Sequence, residues 1–110
     1  MGSFDGGGQR PRDVNKFLSY VNPTSTSTVL PANTTNFPLT IIYNKNIIAN
    51  TFEATLDGVN ISSLFNPQSG SLQTVNLSLQ KGKHTLILSV EGNLSNRVAK
   101  DTDRLILDVQ

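Results

Sequence analysis

Cysteine is missing altogether, and tryptophan with it. Without a thiol the chain has no disulfide framework, no cysteine-ligated structural zinc and no thiol nucleophile. Histidine occurs once, at His84. A lone imidazole builds neither a metal site nor a catalytic pair unless other groups are held against it. Charged residues make up only 15% of the chain, and the net charge is +1. The basic residues are scattered, whereas nucleic-acid binding needs a concentrated cationic face. No apolar run approaches the ~20 residues of a membrane span, so direct membrane insertion is not expected. The opening "MGSFDGGGQRPR" lacks the apolar stretch of a signal peptide, so any such peptide has been removed or never existed here.

Asn, Ser and Thr supply the bulk, with twelve Asn and eleven each of Ser and Thr. At 110 residues the chain is one domain's worth and buries about two-thirds of its unfolded surface. Low net charge and ample β-branched residues argue against intrinsic disorder. Residues 1–12 hold four of the eight glycines and read as a flexible tail or linker ahead of a domain over 13–110. In "DVNKFLSYV" (13–21), Val14, Phe17, Leu18 and Val21 fit helical spacing, while Phe17, Ser19 and Val21 fit a strand. The surrounding β character favours the strand. Residues 22–28 read as a turn or extended linker, and Ile47-Ile48 as part of a connection.

Downstream, Phe37, Leu39, Ile41 and Tyr43 alternate with other residues, as do Phe52, Ala54 and Leu56. Asp57-Gly58 then predicts a type I′ hairpin before Val59 and Ile61. Val75, Leu77 and Leu79, then Leu86, Leu88 and Val90, and finally Leu105, Leu107 and Val109 repeat the pattern, the last within a strand over 104–109. The tip Lys81-Gly82-Lys83-His84 reads as a solvated corner, and residues 91–96 as another turn. Seven to eight short strands with no helical core element predict an all-β, antiparallel two-sheet sandwich.

"FEATLDGVNISSLF", "VNLSLQKGKHTLILSVEG" and "DTDRLILDV" resemble the immunoglobulin-like modules of bacterial surface and secreted proteins, over about residues 28–110. The Gly-rich start and "FLSYVNPTSTSTVLPANTTNF" resemble the separate globular head of a split, geopilin-type type IV pilin. The resemblance implies an extracellular or cell-surface location and a non-catalytic structural role, such as a filament subunit with a protein partner. The alternatives are a carbohydrate-binding module, which would need aromatic platforms that only Tyr20 and an inward Tyr43 could offer, and an enzyme's accessory domain.

Candidate site residues are few. Asp101 and Asp103, with Asp57 in another loop, are the weak candidates for calcium, although the spacing of a calcium loop is absent. The competing reading is that Asp101 or Asp103 caps a turn and Arg104 pairs with a carboxylate or a strand-edge carbonyl. No cofactor is expected. Asn33, Asn60, Asn76 and Asn93 open Asn-x-Ser/Thr triplets, of which Asn60 and Asn76 should point outward. Ile87 and Ile106 should point outward side by side, bordered by Glu53, Thr55 and Ser89. That face is the candidate partner interface, unless the segment with Phe17, Leu18 and Val21 covers it.

Overall fold

The computed structural model describes residues 16–110; the segment 1–12 read as a tail, and Val14, lie outside the described residues. Among the described residues eight strands follow in order: β1 (Leu18–Asn22), β2 (Ser27–Leu30), β3 (Asn36–Tyr43), β4 (Ile47–Leu56), β5 (Val59–Asn60), β6 (Leu72–Ser78), β7 (Gly82–Asn93) and β8 (Val98–Val109). One 3₁₀ turn lies at Ser62–Leu64. The strands form a three-stranded sheet, β1-β3-β6, and a five-stranded sheet, β2-β8-β7-β4-β5. All neighbours are antiparallel except β2, which runs parallel to β8. Segment 18–22 is thus a strand and not a helix.

Alternation is what builds the sheets. In a strand every second side chain faces one way, so Phe37, Leu39, Ile41 and Tyr43 of β3 reach the core together with Leu86, Leu88 and Val90 of β7 and Leu105, Leu107 and Val109 of β8. One buried cluster joins side chains of both sheets, which makes the fold sandwich-like. Tyr43, Phe52 and Phe65 stack within it, with ring centroids 5.9 and 5.0 Å apart. Each such side chain contributes ~1.5–3 kcal/mol by leaving water.

The turns follow from their residues. Asp57 and Gly58 both take positive φ, 52° and 83°, as a type I′ hairpin requires. Gly82 opens β7 at φ 121°, at the corner between Lys81 and Lys83. Pro38 sits inside β3, yet breaks no bond to β6. Tyr43 N–H donates to Ser71 O and Leu79 N–H to Thr35 O at the two ends of this pair. The bonded set is therefore odd-numbered, and Pro38, opposite Asn76, turns its missing donor away from β6.

Three segments differ from the sequence reading. Ser27–Leu30, expected in a linker and its sequel, is a strand held by backbone pairing to β8. Ile47 and Ile48 belong to β4, opposite Gly92 and Glu91, and the register break that follows is bridged by Thr51, whose hydroxyl donates to Ile48 O and accepts from Glu91 N–H. The expected turn at 91–96 shrinks because β7 runs to Asn93, and β8 starts at Val98, well ahead of Arg104. Its first half carries Asp101 and Asp103 at core-facing positions, so no apolar alternation announced it.

The assignment of faces has a direct check. Leu88 is fully buried and Lys83 exposed. Leu88→Ala should lower unfolding stability by ~2–5 kcal/mol through the cavity it opens, whereas Lys83→Ala should stay within about 0.5 kcal/mol. Chemical denaturation measures both, and equal effects would reverse the faces.

Candidate functional site

Beyond Leu105 the core face of β8 turns polar. Its alternating positions continue as Asp103 and Asp101 before returning to Ala99. Opposite them lies β1, bonded to β3 along one edge only. Asp101 meets the other edge: one of its oxygens, Oδ2, accepts the N–H of Phe17 at 2.8 Å and of Leu18 at 3.0 Å. Asp103 accepts from Lys16 Nζ at 2.8 Å and from the Tyr20 hydroxyl at 2.7 Å. Lys16 Nζ also stands 3.7 Å from Asp101 Oδ1 and 5.9 Å from the centre of the Tyr20 ring. A cleft of ≈ 410 Å³ opens beside this cluster, lined by Lys16, Tyr20, Pro23, Thr26, Asp103 and Arg104 among others.

Burial sets the electrostatics. The Asp101 carboxyl is pushed up to about 6, mainly because it is buried and partly because Asp103 adds a second negative charge; the Leu18 and Phe17 N–H groups pull the other way. The Tyr20 phenol is raised as well, by burial first and then by its bond to Asp103. The Tyr43 hydroxyl, raised by burial, donates to Gln73 Oε1 at 2.7 Å. Tyr43 is inside the sandwich, and Tyr20 is half-buried at the cleft, with Lys16 Nζ over its ring.

Asp57 is not part of this cluster. It lies beside Thr85, while Asp103 and Asp101 stand opposite Leu88 and Val90 further along β7. Among the described residues no group of three or more His, Cys, Asp or Glu is placed to hold a metal ion. Asp101 and Asp103 cap no turn, and the cation they meet is Lys16; Arg104 stands exposed on the outer face, opposite Ile87.

Asp57 and His84 form a second polar cluster at the corner. The Nδ1 of His84 lies 2.6 Å from Asp57 Oδ2, and its Nε2 lies 2.7 Å from Gln80 O. Both partners are acceptors, so the ring satisfies both only when doubly protonated, as an imidazolium. The Gln80 carbonyl first and Asp57 second hold the His84 pKa above its ordinary value, and the same contact, with Thr85 N–H, holds Asp57 below its own. The corner is therefore a clamp between two turns. The sequence reading had no acid against this histidine; their separation in the chain hid it.

The outer face of the five-stranded sheet places Ile87 between Thr55 and Arg104, and Ile106 on the diagonal between Ser27 and Thr85. Ile87 is 39% exposed, and Ile106 is half-buried. Glu53 lies beside Ser89, as expected, but Ser89 is only 8% exposed: a short side chain at mid-sheet, between Glu53 and Thr102, sinks below its longer neighbours. The segment suggested as cover goes elsewhere. Phe17 and Leu18 enter the core, and Val21 is exposed with Ser19 on the other sheet. Asn33, Asn60, Asn76 and Asn93 are all exposed. The sequence reading missed the exposed Leu72, which stands opposite Ile42 on the outer face of the three-stranded sheet. No protein-family model matches the chain, nor does any curated protein or solved structure.

The acid cluster and the corner both lose stability as pH rises, each in its own window. The folded chain holds the Asp101 proton more tightly than the unfolded chain, whose carboxyl titrates near ~3.9. This residue's part in stability therefore falls as pH rises from about 4 to about 6. Asp101→Asn, which keeps an acceptor for both amides, should flatten that slope and melt no lower than the parent at neutral pH. Asp101→Ala strands two buried donors at ~1–3 kcal/mol each. Melting curves across this range decide it, and an unchanged slope in Asp101→Asn would reject the assignment.

For His84 the folded pKa lies above the unfolded ~6.5, so its contribution is complete below that value and is lost as pH rises through the folded one. His84→Gln should remove this fall, read from melting temperatures between neutral and alkaline pH. A parent and variant with the same alkaline profile would show that the ring is not charged in the fold.

Proposed function

We infer that the chain is a non-catalytic structural module, displayed at the cell surface or secreted, that joins a larger assembly such as a pilus-like filament. One observation carries this reading: the side chains with chemistry to offer are spent on holding strands together. Asp101 bonds the Phe17 and Leu18 amides, Asp103 bonds Lys16 and Tyr20, and His84 uses both ring nitrogens on Asp57 and Gln80. Catalytic groups need a free lone pair or proton aimed at a substrate.

The strand order supports an immunoglobulin-like reading of the sandwich. With β1, β3 and β6 taken as strands A, B and E, and β4, β5, β7 and β8 as C, C′, F and G, the order is compatible with an immunoglobulin-like sandwich without strand D, and β2 is an addition to that scheme. Such sandwiches serve many roles, so the assembly role rests on the surface. Ile87 and Ile106 leave apolar area in water on the outer face of the larger sheet, and burying it against a partner recovers ~25 cal/mol per Å².

Ile87→Lys with Ile106→Lys tests the role. The double variant should fold as a monomer by circular dichroism yet fail to enter surface assemblies in the producing cell. Should half-buried Ile106 not tolerate lysine, Ile87→Lys alone carries the same expectation. Normal folding with normal assembly would reject this face as the interface.

A further inference from the structure

A sheet edge exposes unpaired N–H and C=O groups, and folded proteins shorten, cover or interrupt such edges to prevent pairing with another chain. Among the described residues, three of the four edges are treated in that way. β1 is short, Leu18–Asn22, and gives its first amide to Asp101, β2 spans only Ser27–Leu30, and β5 only Val59–Asn60. The fourth, β6, is different. It runs seven residues, Leu72–Ser78, with no proline, no charged residue and no register shift against β3.

Its odd-numbered residues bond β3, so Leu72, Thr74, Asn76 and Ser78 aim their N–H and C=O groups outward. No hydrogen bond among the described residues reaches these groups. Leu72, 59% exposed, lies opposite Ile42, 38% exposed, on the same sheet's outer face.

We propose that β6 docks antiparallel against β6 of a second copy of this chain, with the two-fold axis at Val75, forming one continuous sheet. Two features of the strand suit a second copy. First, β1, β3 and β6 contain no Asp, Glu, Lys or Arg, so two identical sheets meet without like-charge opposition. Second, the strand is self-complementary in register. A two-fold at Val75 sets Leu72 against Ser78 and Thr74 against Asn76 of the other copy. These are the residues with outward backbone groups, so every one of them gains a partner. A register shifted by one residue would pair outward groups with inward ones and bond nothing. This contact is on the opposite sheet from Ile87 and stands independently of the assembly reading above.

The test begins with the unaltered full chain. Sedimentation equilibrium from about 10 μM to about 1 mM covers weak association, and the mass should climb from 11.9 kDa toward twice that value. Over the same range the amides of Leu72, Thr74, Asn76 and Ser78 should slow their hydrogen exchange by at least ~10-fold, as closed strand pairs do. A mass constant across the range overturns the proposal, and so does a dimer in which these four amides exchange as fast as in the monomer. Asn76→Pro removes one outward donor and leaves the bonds to β3 in place. It should keep the circular dichroism of the parent and remain monomeric. If Asn76→Pro misfolds, Thr74→Lys with Asn76→Lys places like charges face to face across the two-fold and should dissociate the pair. A folded variant of either kind that still dimerises overturns the proposal.

Discussion

A carboxylate sealed inside a sandwich holds the first strand in place. Burying Asp101 is unfavourable, as its raised pKa records, and the fold tolerates it because one oxygen takes two backbone amides that would otherwise be stranded. β1 has only five residues and one neighbouring strand. Asp101 anchors the start of its second edge, at Phe17 and Leu18. The bond also crosses between sheets, since β8 belongs to the larger one, and it does so where the apolar layer of β8 gives out.

What Asp101 fixes at the backbone, Phe17 uses at the side chain. The ring lies so close over Gly92 that a β-carbon there would stand 2.5 Å from it, far inside van der Waals contact. The glycine is thus required by a close approach and not by its backbone angle. With Phe17 seated, Leu18 enters the core and Tyr20 comes within reach of Asp103. An acidic residue in β8 and a missing side chain in β7 together decide where the chain begins its first sheet.

This dependence marks the limit of what could be read from the sequence. Strands whose side chains alternate between core and solvent were legible: Phe37 to Tyr43, Leu86 to Val90, Leu105 to Val109, and the hairpin at Asp57-Gly58. Ser27–Leu30 was not, because a short parallel strand is specified by backbone pairing to β8 and its own side chains are mostly wet. The start of β8 was hidden because its core-facing residues are acids. The two polar clusters were invisible for a different reason: Lys16 and Asp103, or Asp57 and His84, are far apart in the chain, and only the fold makes them neighbours. Ser89 shows the converse, a residue on the expected face whose burial depends on the length of the side chains around it.

The chain passes from one sheet to the other between Asn22 and Ser27, so β1 and β2 serve different sheets although they are consecutive. β2 then runs parallel to β8, with Ser27 beside Ile106 and Leu30 beside Val109. Tension between the segment entering β2 and the segment leaving β8 would pull the two strands past each other along their length. Their hydrogen bonds would be strained together in shear, and no single bond at an end could open first and unzip the rest. A sandwich built this way resists being drawn out along its own chain more strongly than a hairpin pulled open from its tip.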